Sequence, residues 1–188
     1  MSNMILNNNA LEILGGFSGD YHKRIYGRDI AKRLKINQKT VSNILNKLEK
    51  ENVLKFSVEG KNKYYYLNNL NPSIKEIIKL IEINKKIKFI ERYKKFRELY
   101  SQLELRTDGI LAIFGSYSNF SANENSDLDI LIIGKHQEVK DLEKLYSLKL
   151  NIVKIDRKKF DKGDILIKEV IKNHVVLKGL EEFISLAW

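Results

Sequence analysis

Four residues with the chemistry of a phosphate and metal site lie close together in the sequence. Gly115 and Ser116 end a short apolar run, and after ten residues the pair Asp127 and Asp129 begins another. On a β-strand, residues i and i+2 point to the same side, so the two carboxylates can hold one hard cation through oxygen ligands, as Mg²⁺ prefers. Glycine lets the backbone approach a ligand closely, and a serine hydroxyl can hydrogen-bond a phosphate oxygen. This spacing predicts a site for a phosphate-bearing ligand and a divalent metal.

Gly-Ser, ten residues and Asp-x-Asp is also the signature of a known family. Residues 107–180 resemble the nucleotidyltransferase superfamily of the DNA polymerase beta type, and most of all its minimal members. The resemblance implies that Asp127 and Asp129 are catalytic and bind metal. The nucleotide-binding residues that it implies are Gly115, Ser116 and Ser126. The implied cofactors are Mg²⁺ or Mn²⁺, with ATP or another nucleoside triphosphate as ligand or substrate. The alternative is a polar surface loop that contains an accidental Asp-x-Asp.

The sequence departs from this family at two positions. In the family two metal ions hold the attacking and leaving oxygens, and a third carboxylate from a neighbouring strand coordinates the metal that activates the nucleophile. The apolar pattern of residues 148–155 aligns that third position with Asn151. An amide oxygen can ligate a metal, but the group is neutral and cannot act as a base. Asp156 is about 17 Å further along an extended strand and on its opposite face, so it is a poor substitute. Phe120 also stands where many relatives have glycine. The resemblance thus predicts a retained triphosphate site and a weakened second metal site.

The elements that must position these residues are predicted from apolar runs and their spacing. After the Asp pair, helices are predicted over 137–146 and 163–173, a strand over 148–155 and a further apolar run over 175–179. Helices and strands in this order predict a small α/β domain with a mixed sheet and flanking helices.

Charge is distributed unevenly along the chain, whose formal net charge is +10. Residues 1–106 contain 22 Lys and Arg against 11 Asp and Glu, a net charge of +11, whereas residues 107–188 contain 12 against 13, a net charge of −1. Phosphate contacts supply most of the non-specific affinity of proteins for nucleic acids. The first half therefore predicts a polyanionic partner, and the second half does not.

The basic half has the element order of a second known family. The predicted elements are helices over 9–17, 27–34 and from a cap at Asn37 to about Glu51, then strands over 53–58 and 63–67 with a turn at 59–62. In this order residues 8–70 resemble a winged helix-turn-helix domain, which implies double-stranded DNA as a partner. The alternative is a winged helix that serves protein contacts or dimerisation alone.

The third predicted helix carries polar side chains opposite its apolar stripe. Side chains of these types reach phosphates and base edges in DNA complexes. The candidate DNA-binding residues are Lys39, Thr40, Ser42, Asn43 and Lys47 on this helix, with Lys61 and Lys63 at the tip of the wing. The three tyrosines at 64–66 are expected to pack within the strand rather than to stack on bases.

A long helical segment separates the two resemblances. Residues 73–106 contain neither glycine nor proline after Pro72, and apolar residues recur throughout. Proline is well placed at the first turn of a helix. The segment is predicted to be one long helix or two joined helices. It serves either as a linker packed on both domains or as a homodimerisation helix, and the sequence leaves both open.

Composition excludes other classes. The chain has no Cys, so disulfide frameworks and cysteine zinc sites are excluded. His22, His136 and His174 are isolated and are expected at the surface or half-buried. No segment approaches the roughly 20 apolar residues of a membrane span, so a soluble, cytoplasmic protein with no membrane partner is expected.

The predicted fold class is α+β, with an N-terminal winged helix, a helical linker and a C-terminal small α/β nucleotidyltransferase fold with a mixed sheet. The predicted boundaries are 1–70, 71–106 and 107–188. The predicted function is a DNA-binding transcriptional regulator that carries a nucleotide- and Mg²⁺-binding domain. The alternative is an active nucleotidyltransferase that adenylylates a protein or a small molecule, as antitoxins of the minimal family do. A third interpretation is a scaffold that uses neither site.

Overall fold

The computed structural model describes residues 7–188 and divides the chain into two compact units. The first unit ends at Ile81, and the second comprises Glu82–Trp188. This division falls inside a helix, because the helix Ile74–Arg92 begins in the first unit and ends in the second.

The first unit consists of helices followed by a small antiparallel sheet. Its elements are α1 (Asn8–Leu14), β1 (Ile25–Tyr26), α2 (Gly27–Leu34), α3 (Gln38–Lys50), β2 (Leu54–Glu59) and β3 (Asn62–Leu67). A short 3₁₀ turn, Gly15–Phe17, follows α1, so the predicted first helix ends early, at Leu14. The strand order is β1-β3-β2, with both pairs antiparallel.

Local sequence accounts for the boundaries of α3 and of the hairpin. The Asn37 side chain accepts a hydrogen bond from the Lys39 backbone N–H at 2.8 Å, which is the predicted N-terminal cap. The hairpin turns at Gly60 and Lys61, between the paired residues Glu59 and Asn62, and Gly60 adopts a φ of +60°. The left-handed conformation at Gly60 is the one that tight hairpin turns require.

The helical segment after Pro72 is two helices rather than one. The helix α4 (Ile74–Arg92) is followed by a 3₁₀ turn, Lys94–Phe96, and then by α5 (Arg97–Leu105). Tyr93 interrupts the helix with a φ of −110° and a ψ of 40°.

The second unit is a four-stranded mixed sheet with helices. Its remaining elements are β4 (Thr107–Phe114), α6 (Gly115–Ser118), β5 (Leu128–His136), α7 (Lys140–Tyr146), β6 (Leu150–Ile155), α8 (Ile165–Lys172), β7 (Val175–Lys178) and α9 (Leu180–Ala187). The strand order is β6-β5-β4-β7; β5 and β6 are parallel, and the other two pairs are antiparallel. The predicted mixed sheet is therefore confirmed.

Two predicted helices of this unit are too long. The first begins at Lys140 instead of residue 137, because β5 continues to His136 and the Gln137 N–H then bonds the Arg106 carbonyl at 2.9 Å. The second comprises only Ile165–Lys172, because the Asp164 side chain caps it by accepting the Ile167 N–H. The third strand begins at Leu150 rather than at residue 148.

The core of the second unit lies on the face of the sheet that α4, α5 and α7 cover. Inward residues of β4 and β5, such as Leu111 and Ile130, are wholly buried there with Phe89, Leu99 and Leu142 of the helices. The last two helices, α8 and α9, pack against β4. Runs of consecutive buried residues in β4 and β5 are typical of central strands that are covered on both faces.

The prediction for His174 is wrong, because this histidine is wholly buried. Its Nδ1 lies 2.8 Å from the Ile171 carbonyl oxygen, and its Nε2 lies 3.3 Å from a carboxylate oxygen of the buried Glu82. The isolated position of His174 in the sequence gave no sign of this partner on α4.

No helix within residues 7–188 is long and apolar enough to cross a lipid bilayer.

Candidate nucleotide and metal site

Gly115 brings the backbone against Asp129 at the point where β4 ends. Phe114 is the last residue of β4 and pairs with Asp129 of β5. Gly115 follows it with a φ of +66°, the left-handed region that glycine adopts without strain. A Cβ at this position would lie 2.2 Å from Asp129 Oδ2. Only glycine therefore allows the chain to turn here with the carboxylate in its present place.

The two predicted aspartates converge on one point. Asp129 is the second residue of β5, and Asp127 lies just before the strand rather than on it. The Asn151 Nδ2 group donates hydrogen bonds to Asp127 Oδ2 and to Asp129 Oδ1, each at 3.2 Å. Because one nitrogen reaches both side chains, the two carboxylates face the same small volume.

The register of the sheet places Asn151 beside the carboxylates. Strand β6 runs parallel to β5, and Asn151 pairs with Asp129. Asp156 follows the end of β6, beyond the pair of Ile133 and Ile155, at the far end of the paired strands. It therefore does not join the carboxylate pair.

Lys149 is a residue of this site that sequence reasoning missed. Its Nζ donates to Asp127 Oδ2 at 2.7 Å, and its carbonyl oxygen accepts the Leu128 N–H at 2.9 Å. The hydrogen bond from Lys149, to which the Asn151 amide adds, holds the pKa of Asp127 below its ordinary value. The same contact raises the pKa of Lys149. Lys149 lies two positions before Asn151, so strand alternation could have indicated that the two share a face.

The serines of the loop make different contacts. The Ser116 carbonyl accepts the N–H groups of Ser121 and Ala122, which folds the loop back on itself. The Ser126 Oγ accepts the Asn123 N–H at 3.0 Å, so this predicted nucleotide-binding residue also holds a loop turn. Ser118, which sequence reasoning did not select, is buried, and its hydroxyl lies 2.9 Å from the carbonyl oxygens of Gly115 and Asn173.

Phe120 lies in the same loop with a backbone conformation that favours glycine. Its φ is +64°, and its ring stacks on Tyr93 with a centroid distance of 6.4 Å and an angle of 7° between the planes. Left-handed conformations cost non-glycine residues roughly 1–2 kcal/mol. The ring contact accompanies this strain and keeps an aromatic side chain, 37% exposed, in the loop.

The donor atoms at this point fit one hard divalent cation. Within residues 7–188 no group of three or more His, Cys, Asp or Glu side chains is placed to hold a metal ion. The two converging carboxylates supply oxygen ligands of the hard type that such a cation prefers, whereas Asn151 presents its Nδ2 group to them as a hydrogen-bond donor. Asp127 and Asp129 would hold the ion, with Asn151 as the neutral neighbour on β6.

In the first unit, the predicted DNA-binding residues lie on α3 and on the hairpin. All are exposed except Ser42, which is half-buried. Lys61 is in the turn, and the Lys63 ammonium lies 4.2 Å from the centre of the Phe56 ring. Of the three tyrosines on β3, Tyr65 is buried and its hydroxyl donates to the Asn46 side chain at 2.9 Å.

Comparison with known proteins agrees with the geometry of the second unit. The family model described as "Nucleotidyltransferase domain" matches residues 93–185, so the chain contains a nucleotidyltransferase domain. The chain is also 35% identical over 78 residues to the uncharacterized protein MJ1623 of Methanocaldococcus jannaschii. That alignment covers 42% of this chain but only 15% of the length of that protein. No solved structure matches the chain significantly.

Proposed function

We propose that the second unit binds a nucleoside triphosphate together with one divalent cation. The observation that carries this proposal is the convergence of Asp127 and Asp129 on one point beside the left-handed turn at Gly115. The cation, Mg²⁺ or Mn²⁺, would supply positive charge to the phosphate oxygens. Ser116 and the open backbone at Gly115 contribute hydrogen-bond donors next to the carboxylates, and Ser126 keeps the loop in shape.

Calorimetric titration of the full-length protein tests this proposal. ATP, GTP, CTP and UTP are each titrated with and without Mg²⁺. At least one triphosphate should bind, and only with the metal. Changing Asp127 and Asp129 together to Asn should abolish the binding, because both metal ligands lose their charge. The matched control changes Asp108 and Asp156 to Asn, since both are exposed carboxylates outside the pair. Equal binding by the first double variant without metal would contradict the proposal.

An active transferase is the second candidate, and the match of residues 93–185 to the nucleotidyltransferase model favours it. In that reaction an acceptor oxygen bonds to the α-phosphorus of ATP, the bond from the α-phosphorus to its bridging oxygen breaks, and pyrophosphate leaves. The acceptor's proton must pass to a base. Asn151 cannot accept it, which favours slow transfer or none in this chain. The acceptor would be a partner protein or a small molecule, as in the antitoxin interpretation.

Asn151→Asp distinguishes binding from catalysis. The substitution replaces an amide by a carboxylate of the same shape, so packing should barely change. It should tighten the second metal and raise transfer of labelled AMP from ATP at least tenfold, which corresponds to about 1.4 kcal/mol of barrier. Asn9→Asp is the control, because it makes the same change at an exposed position on α1, in the first unit and outside the site. Brisk transfer by the natural protein, unchanged in Asn151→Asp, would show that another residue completes the site.

For the first unit we propose a winged helix that binds double-stranded DNA, which would make the protein a transcriptional regulator controlled by nucleotide. Support comes from the order of two helices and a hairpin, from the exposed polar residues of α3 and from the basic charge. The proposed domains are 1–70 and 107–188, with the helical segment 71–106 as a linker or as the contact between two copies. A winged helix that contacts only proteins is the alternative.

A further inference from the structure

The carboxylate pair is in contact with a positively charged side chain, that of Lys149. Two ionised aspartates side by side carry a charge of −2, and like charges at this spacing repel each other. Around this pair, Asn151 contributes a neutral amide and Lys149 contributes a full positive charge at 2.7 Å from Asp127. In the protein without ligand, the charge of Asp127 is thus largely matched by Lys149.

The sheet holds Lys149 in place for this contact. The Leu128 N–H bonds the Lys149 carbonyl oxygen, and the next pair along the strands is Leu128 with Leu150. The backbone of Lys149 therefore lies beside that of Asp127, and only its side chain is free to move. That side chain is 67% exposed, so its ammonium can leave Asp127 without disturbing the core.

From these contacts we infer that Lys149 competes with free divalent metal for Asp127 and favours entry of the metal as its complex with a nucleoside triphosphate. This inference rests on the proposed nucleotide site. A free cation must displace the ammonium from Asp127. Because the contact between Lys149 and Asp127 is lost, the net binding free energy of the free cation is reduced. The complex of one divalent metal with a triphosphate is negatively charged, so it attracts the same lysine. Lys149 is in this sense a positioning residue that selects the form in which the metal arrives.

The inference predicts opposite effects of one substitution on two ligands. In Lys149→Met, affinity for Mn²⁺ alone should rise about three- to fivefold, and affinity for ATP with Mg²⁺ should fall at least threefold. Fivefold corresponds to about 1 kcal/mol, which is within the range for an exposed ion pair. Free Mn²⁺ is measured by its paramagnetic resonance signal, and ATP binding by calorimetry, both in 0.15 M salt.

Two variants control for charge and for folding. Lys154→Met removes the same charge from an exposed position on β6, the strand that begins directly after Lys149, and both affinities should change less than twofold. Lys149→Arg keeps the charge beside Asp127 and should bind Mn²⁺ as weakly as the natural protein. The melting temperature of each variant without ligand reports its folding.

The outcomes separate this inference from the proposed function. If Asp127→Asn with Asp129→Asn abolishes Mn²⁺ binding while Lys149→Met binds Mn²⁺ no tighter, the metal site stands and the role of Lys149 is overturned. If Lys149→Met lowers both affinities, or raises both, the proposed competition between Lys149 and free metal is overturned as well. If Mn²⁺ binding is absent, or is insensitive to both aspartates, the proposed site itself fails.

Discussion

At Gly115 the absence of a single methyl group lets a carboxylate lie against the backbone. We predict that Gly115→Ala weakens the binding of Mn²⁺ and of ATP with Mg²⁺ at least tenfold, because the new Cβ must displace Asp129 Oδ2 and the φ of +66° becomes strained. Calorimetry measures both affinities. Gly15→Ala is the control, since its Cβ would meet nothing within 4 Å and its φ is −56°. Normal binding in Gly115→Ala would show that Asp129 is not a ligand.

Single residues also show how far the sequence could predict this site. The Asp pair follows from spacing alone, and the apolar pattern of β6 was enough to align Asn151 with the family's third carboxylate position, which the structure places beside Asp129. Lys149 was missed because a lysine before a strand is usually solvent-exposed, and its alternation with Asn151 indicates a shared face but not the residue that Lys149 contacts. The partner Asp127 is 22 positions away and becomes adjacent only through the parallel register of β5 and β6.

At the scale of elements, the ends of α5 and α7 are joined by one ion pair. The Arg106 guanidinium donates to both carboxylate oxygens of Asp141, at 2.6 and 2.7 Å, and also to the Glu138 carbonyl oxygen. Bidentate pairs of this kind are stronger than single contacts. The hydrogen bond from Arg106 holds the pKa of Asp141 below its ordinary value of 3.8.

This pair should stabilise the protein in a pH-dependent way. A lowered pKa in the folded state means that the stabilisation is fully present above pH 3.8 and is lost as the pH falls through the folded value. Asp141→Asn should therefore be less stable than the natural protein at pH 7, with the difference closing in strong acid. Urea unfolding at pH 7 and at about pH 2.5 measures this difference. Glu138→Gln, in an exposed pair with Lys140, is the control and should show no such change. A gap that persists in acid would assign the effect to another cause.

The elements themselves were predicted better than their ends. Apolar spacing located α2 and α3, and turn residues located the hairpin, because each of these signals is local. The interruption of the helical segment at Tyr93 has no glycine or proline to mark it. It coincides with packing of the Tyr93 ring on Tyr117 and Phe120, which are more than 20 residues away. Contacts at that separation cannot be read from the segment's own sequence.

At the scale of the whole molecule, positive charge is concentrated in the first half of the chain. The +11 of residues 1–106 and the −1 of residues 107–188 would let one half approach a polyanion while the other carries a nucleotide with its metal. Neither charge gives the fold of its half. The charge does, however, predict how binding should respond to salt.

Binding of the full-length protein to duplex DNA should weaken steeply with salt, because contacts with phosphates release condensed cations. Changing Lys39 and Lys47 to Ala should lower the slope of log affinity against log salt by about 2 if each contacts one phosphate. Changing Lys61 and Lys63 to Ala should lower the slope in the same way. Replacing Asn43 should instead alter the preference among sequences, as should replacing Ser42. Fluorescence anisotropy with labelled duplexes measures all of these affinities. The salt concentration is varied from roughly 50 to 200 mM, over which the affinity of a protein that contacts phosphates changes steeply.

The control for this prediction lies in the second unit. Changing Lys140 and Lys144 to Ala removes the same charge from exposed positions on α7, outside the proposed winged helix. If affinity falls only with total charge, both double variants will weaken binding equally. If α3 lies on the DNA, its lysines will change the salt slope and those of α7 will not. Equal slopes in the two variants, or no salt-dependent binding to any duplex, would replace the DNA-binding proposal with that of a winged helix for protein contacts.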